Sequence, residues 1–268
     1  MTTDLFATRS ILFLPASNPR AIAKARKSDA DLVVLDLEDS VKPDDKSGAR
    51  AAAVDAVLLD WPMPVAIRIN GVGSEWHLID IEAVAASKCD SAVLPRAAYV
   101  KDVSEVRHAL GKPVLAMIET ASGVLASAAI ADAASALIAG TNDLRADLRL
   151  PLDATRDPIS VSLQLIILAA RAAGIPAFDG VYNRLSDLDG FIAECMHGRS
   201  LGFDAKSLIH PDQIGPCNEA FGPSEEEIES ARQLVKAFGG GAERFKDRMI
   251  ERMHVEAARR VLERAGES

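Results

Sequence analysis

The chain has 268 residues, 49% apolar and 26% charged, the composition of a globular protein long enough for one α/β-barrel domain without an internal boundary. A formal charge of −9 argues against a nucleic-acid surface and gives no support to a partner on an anionic membrane, and no apolar run approaches a membrane span. Cys89, Cys195 and Cys217 match no zinc spacing and form no even disulfide set, and residues 1–8 carry no basic or apolar leader pattern, so a reducing compartment, the cytoplasm, is expected.

In chain order, residues 9–15 read as an apolar strand ended by Pro15. A helix follows to residue 27, with Asn18 as N-cap and Pro19 at the first helical position. Residues 31–38 form a second strand ending in Asp36, Glu38 and Asp39, and residues 43–59 a helix. The third strand, 64–70, carries Arg68 near its C-terminal end, with a helix over 75–86. The fourth strand is 90–96 and its helix 100–110. Residues 113–119 are a short buried run closed by Glu119, and Thr120, Ser122 and Gly123 begin a helix to residue 131. The sixth strand, 135–141, is closed by Asn142 and Asp143. A helix over 157–173 is ended by Gly174, and the seventh strand, 175–182, carries Asp179. A helix over 185–197 and a short strand over 205–209 complete eight strand-helix units. Such alternation implies a parallel sheet. Eight units with no Gly-x-Gly-x-x-Gly loop favour a closed (β/α)8 TIM barrel over a dinucleotide-binding sheet.

The barrel is expected to occupy residues 1–223 and a helical segment residues 224–268. Ser224 and Glu227 form a capping box for a helix to residue 238. After Gly239-Gly240-Gly241, residues 245–264 read as an amphipathic helix with Met249, Met253, Val255, Ala258 and Leu262 as its apolar stripe. A helix behind three glycines can stay on its own chain or dock on a neighbouring subunit.

Strand ends in parallel α/β folds carry the ligand-binding groups. Here they supply Asp36, Glu38, Asp39, Arg68, Glu119, Asp143 and Asp179. Several carboxylates on one rim repel one another unless a cation neutralises them. Mg2+ needs only one or two protein carboxylates, and Glu119 and Asp143, ending adjacent strands, are the pair placed to share it. Glu38 and Asp39 then either hold the ion's waters or form salt bridges with Lys46 and Arg50. Arg68 offers a guanidinium fork to a substrate carbonyl or carboxylate, or neutralises Glu119 or Glu38. The five histidines form no His-Glu-x-x-His pair, Gly-Thr-Asn-Asp is no phosphate loop, and there is no Gly-x-Ser-x-Gly elbow.

Several motifs fall in order along the chain: Arg9-Ser10, Asp36-Leu37-Glu38-Asp39-Ser40-Val41, Pro43 with Lys46 and Ala49-Arg50, Arg68-Ile69-Asn70, Ile118-Glu119-Thr120 with Gly123, Asp143-Leu144, and Ile209-His210-Pro211 with Gln213-Ile214. Together they resemble the citrate lyase beta subunit and its relatives, the HpcH/HpaI-type aldolases and lyases. The resemblance implies a Mg2+-dependent carbon-carbon lyase acting on malyl, citramalyl or citryl thioesters of coenzyme A. As alternatives it implies a subunit acting on a carrier-protein thioester, or a malyl-CoA thioesterase. It assigns the metal to Glu119 and Asp143 and the substrate to Arg68 and Glu119. It further implies a homo-oligomer, a trimer or hexamer, in which an acid of the terminal segment enters the neighbouring site. That acid is Glu251 of Met249-Ile250-Glu251, where relatives carry Asp. Two further departures are Arg96 after Pro95, where Lys is common, and Asn142, where an acid often precedes the metal Asp.

Overall fold

Short runs of Val, Ile, Leu and Ala form the strands β1 (Ser10–Pro15), β2 (Leu32–Asp36), β3 (Val65–Arg68), β4 (Ser91–Leu94), β5 (Val114–Ile118), β6 (Ala136–Ala139), β7 (Ala177–Asp179) and β8 (Ala205–Leu208). All pair in parallel in sequence order, and β8 closes on β1, giving a (β/α)8 TIM barrel in this computed structural model, which describes residues 4–245 and 247–267. The helices are α1 (Pro19–Ala25), α2 (Lys46–Ala56), α3 (His77–Ala86), α4 (Val100–Leu110), α5 (Ala121–Leu125), α6 (Ser127–Ala133), α7 (Thr141–Asp147), α8 (Ser160–Ala173), α9 (Leu188–Leu201) and α10 (Ile214–Phe221). The chain forms two compact units, Met1–Cys217 and Asn218–Ser268. The second unit holds α11 (Glu225–Ala237), a hairpin of β9 (Glu243–Phe245) and β10 (Arg248–Ile250), and α12 (Arg252–Arg264).

The barrel interior follows from the two-residue period of a strand. Leu32 and Val34, Leu115 and Met117, and Ala136 and Ile138 point inward and pack with Ile11, Ala66, Val93, Phe178 and Ala205. One further inward step brings Asp36, Arg68, Glu119, Gly140 and Ser207 to the C-terminal mouth. The same alternation turns Asp179 and Lys206 outward, toward the helix layer. The helix signals work locally: Asn18 Oδ1 accepts the Ala21 N–H at 3.1 Å, and Gly174 ends α8 with φ +68°.

Three elements differ from the sequence reading. The helix expected over 121–131 divides into α5 and α6 at Ala126. Gly123 lets α5 lie against the Ala97 carbonyl, where a Cβ would come within 2.5 Å, whereas α6 packs on α4 and α8. Asn142 and Asp143, read as the end of a strand, form the first turn of α7. The helix expected over 245–264 begins only at Arg252, because the chain before it alternates as a hairpin, with Met249 exposed and Ile250 buried. Within the second unit α12 packs on α11, and Val255 and Ala258 of the expected stripe are buried while Met253 is not. All three cysteines are free and buried. Among the described residues no helix is long and apolar enough to cross a membrane.

Candidate active site

The mouth of the barrel encloses a cavity of about 310 Å³. Its charged side carries Asp39, Arg68, Glu119 and Asp143, and its apolar side Phe13, Val181 and Ile209. Four of the predicted residues are therefore brought together. Glu38 stands behind them, its Oε2 2.8 Å from Arg68 Nη1. Glu251 lies in the second unit as the N-cap of α12.

Glu119 is placed by the inward phase of β5 and is 3% exposed. Its Oε1 accepts the Arg96 backbone N–H at 2.6 Å. Arg96 adopts a left-handed backbone with φ +51°, uncommon for a residue with a Cβ. Its Nη1 also lies 3.4 Å from Asp143 Oδ1, an exposed and therefore weak ion pair. Gly140 makes room for the carboxylate, since a Cβ there would lie 2.4 Å from Glu119 Oε2. Burial, reinforced by Asp143 and Glu38 and opposed by the Arg96 N–H and Arg68, pushes the Glu119 carboxyl up to about 8.

Arg68 is clamped rather than free. Asp36 and Arg68 are register partners on β2 and β3, and their side chains form a two-pronged pair, Nε–Oδ1 2.7 Å and Nη2–Oδ2 2.7 Å. The guanidinium lies 5.6 Å from the centre of the Phe13 ring. Burial opposes ionisation of Asp36, but the hydrogen bonds and charge of Arg68 and the Ser40 hydroxyl outweigh it and hold the carboxyl below the usual range. Glu38 goes the other way: burial, with repulsion from Asp39 and Asp36, outweighs Arg68 and pushes it up to about 7. Asp36 is thus a site residue that sequence reasoning noted only as one acid of the rim. Its signal is that it and Arg68 each close a strand, two strands that are neighbours in the chain.

Two other expectations are corrected. Lys46 and Arg50 do not pair with Glu38 or Asp39. Lys46 Nζ donates to the Leu37 and Glu38 carbonyls, both at 2.8 Å, and to Asn70 Oδ1 at 2.7 Å, while Arg50 binds Asp80 at 2.6 Å. Asp179 does not belong to the cavity rim. It is fully buried in an outward-facing network with Arg156 at 2.6 Å and Lys206 at 3.0 Å, and Lys206 also reaches Glu194 at 2.8 Å. Asn142, in place of an acid, accepts a hydrogen bond from Asn183 Nδ2 at 2.7 Å and ties α7 to the loop after β7.

The donor set fits a hard divalent cation. Among the described residues no third His, Cys, Asp or Glu completes a ligand cluster, so water and substrate oxygens would fill the remaining positions, as Mg2+ prefers. The raised Glu119 carboxyl and its repulsion by Asp143 describe a pair short of one positive charge.

The pH dependence of the metal-free protein has a definite sign. Glu38 and Glu119 keep their protons in the folded state up to about 7 and about 8, whereas an unfolded chain releases them near about 4.3. The folded state then binds more protons, so stability falls as pH rises through this window and levels off above it. In chelator the melting temperature is expected to decline from about pH 5 to about pH 8.5, less steeply in Glu119→Gln. Identical slopes in the two proteins would show that Glu119 is ionised throughout.

Comparison with known proteins gives the family and the fold. The model of the HpcH/HpaI aldolase/citrate lyase family matches residues 9–211. A (3S)-malyl-CoA thioesterase of Cereibacter sphaeroides is 39% identical, over 96% of this chain and 94% of its own. The citrate lyase subunit beta of Escherichia coli is 32% identical, over 96% and 93%. The crystal structure of CitE from Mycobacterium tuberculosis with magnesium, acetoacetate and coenzyme A superposes with a TM-score of 0.87 at 35% identity, over 98% of this chain and all of that one. A closed barrel with an acid pair and a clamped arginine at its mouth, matched over almost its whole length, belongs to the HpcH/HpaI aldolase/citrate lyase family.

Proposed function

We propose that the barrel mouth binds the acyl end of a 3-hydroxyacyl-CoA thioester of the malyl, citramalyl or citryl type and cleaves it to a 2-oxo acid and an acyl-CoA. The observation that carries this reading is the Glu119 and Asp143 pair sharing one small cavity with a fixed guanidinium. Mg2+, bound in the M. tuberculosis structure, would be held here by Glu119 and Asp143 and would supply Lewis acidity toward substrate oxygens. Arg68, its plane set by Asp36 and Glu38 and a fourth N–H directed at Met117 Sδ, keeps its fifth N–H for the carbonyl oxygen on which charge develops. Removal of the hydroxyl proton turns the C–O bond into a carbonyl. The carbon-carbon electron pair passes to the α-carbon of the thioester, which is then protonated.

A second reading, hydrolysis of the thioester, is favoured by the higher identity to the malyl-CoA thioesterase, 39% against 32% for the citrate lyase subunit. One assay separates them. Malyl-, citramalyl- and citryl-CoA are incubated with Mg2+ while free thiol and carbonyl product are followed together. Carbonyl without thiol supports cleavage, thiol without carbonyl supports hydrolysis, and neither product from any of the three overturns both.

The proton acceptor in this reading is Glu251 of a neighbouring subunit in a homo-oligomer, a trimer or hexamer. Uncovered apolar stripes support assembly: Val161, Leu165 and Leu168 on α8 and Leu188, Ile192 and Met196 on α9 are all exposed. Glu251→Gln is expected to assemble normally and to lower kcat about 100-fold, the usual contribution of a positioned base. Truncation after Gly239 should lower activity far more than it lowers the melting temperature of the barrel. A truncated protein that is monomeric and fully active would disprove both the assembly and the catalytic role.

A further inference from the structure

We infer that Ser207 is a specificity-determining residue, whose hydroxyl hydrogen-bonds an oxygen at the end of the acyl group that points away from Glu119 and Asp143. The inference rests on reading the cavity as the acyl site of a 3-hydroxyacyl thioester. Ser207 lies on β8, two residues after Ala205 of the barrel interior, so the strand period turns it inward, and it lines the cavity. It is 1% exposed, and its Oγ has no hydrogen-bond partner among the described residues. Buried hydroxyls are rarely left so, because nothing repays the water they gave up.

Topology says what the hydroxyl faces. In the closed ring β8 stands opposite β4, so Ser207 looks across the mouth at the arc from β3 to β5 that carries Arg68 and Glu119. Beside it the cavity is lined by Phe13, Val181 and Ile209, whose side chains offer no hydrogen bond, and by Asn183, whose amide is already paired with Asn142 at 2.7 Å. A ligand anchored by its polar end on the far arc therefore meets a largely apolar wall, on which Ser207 offers a buried hydroxyl not already paired. A carboxylate or hydroxyl oxygen at that end satisfies Ser207, and a methyl group leaves it unpaired. This predicts discrimination between acyl groups that differ only there.

Oxaloacetate and 2-oxobutyrate form a suitable pair, since a carboxylate in the first replaces a methyl in the second. Their affinities for the intact protein with Mg2+ are measured by calorimetry in wild type, Ser207→Ala and Ser207→Thr. Wild type is expected to prefer oxaloacetate by about tenfold or more, the scale of one hydrogen bond to a charged group. Ser207→Ala should lose that preference by weakening oxaloacetate alone, and Ser207→Thr, which keeps the hydroxyl, should retain it. Without ligand, Ser207→Ala should melt no lower than wild type, because the hydroxyl has no protein partner to lose. Ser207→Cys, close in volume and a weak donor, serves as a second deletion if the alanine variant folds poorly. Unchanged oxaloacetate affinity in Ser207→Ala overturns the assignment. So does equal weakening of both acids together with a lower ligand-free melting temperature, which marks a packing role. In either case, wild-type turnover of a hydroxyacyl-CoA leaves the functional reading standing. Wild type that binds neither acid and turns over no hydroxyacyl-CoA defeats the reading and the Ser207 assignment together.

Discussion

Glu119→Gln is expected to remove Mg2+-dependent turnover while leaving the barrel folded. Glutamine keeps the shape of the side chain beside Gly140, where there is no space to spare, and still offers an oxygen to the Arg96 N–H. What it loses is the charge that would bind the cation. The expected fall in kcat/KM is about 1,000-fold, about 4 kcal/mol, the scale of Lewis-acid stabilisation. Glu119→Ala should fall at least as far, although it also opens a hole in a buried wall. Magnesium titration by calorimetry should show a parallel loss of affinity in Glu119→Gln and in Asp143→Asn. Unchanged affinity and turnover in Glu119→Gln would sink the metal assignment. The ligand-free protein gives an independent check. The variant no longer forces a carboxyl into a site that resists its ionisation, so in chelator at about pH 8 it should melt no lower than wild type.

Arg68→Lys is the second large effect. One guanidinium makes three contacts to acids at once, two to Asp36 and one to Glu38, lies 3.9 Å from Met117 Sδ through Nη1, and still borders the cavity. A lysine ammonium has the charge but not the plane, so it cannot span both acids and present an N–H to the substrate. The expected loss in transition-state stabilisation is about 2–4 kcal/mol, roughly 30- to 1,000-fold in kcat/KM. The melting temperature should fall as well, because Asp36 is 1% exposed and depends on the paired contact for its charge. The two readouts separate the roles. A lower melting temperature with near-wild-type kcat/KM would show that Arg68 only neutralises the acids around it.

The sequence by itself determined the architecture and the main cast of the site. Strands of three to six residues alternating with capped helices have few compact solutions, and eight such units close into a barrel. The inward period of β3 and β5 placed Arg68 and Glu119 at the same mouth, because a two-residue alternation is rigid enough to be read from one dimension. It could not tell which face each acid takes. Asp36 and Asp179 both end strands, yet one turns into the mouth and clamps Arg68 while the other turns outward to Lys206 and Arg156. That choice depends on the phase of each strand against its neighbours, which pairing sets and sequence only hints at. Local helix length was equally out of reach, since close approach at Gly123 splits one expected helix and Gly140 leads into an unforeseen one. The protonation of Glu38 and Glu119, the partners of Lys46, and the unpaired hydroxyl of Ser207 were decided by the tertiary structure alone. Each depends on how much water is excluded and on which charge arrives from a distant part of the chain, and neither quantity exists until the barrel has closed.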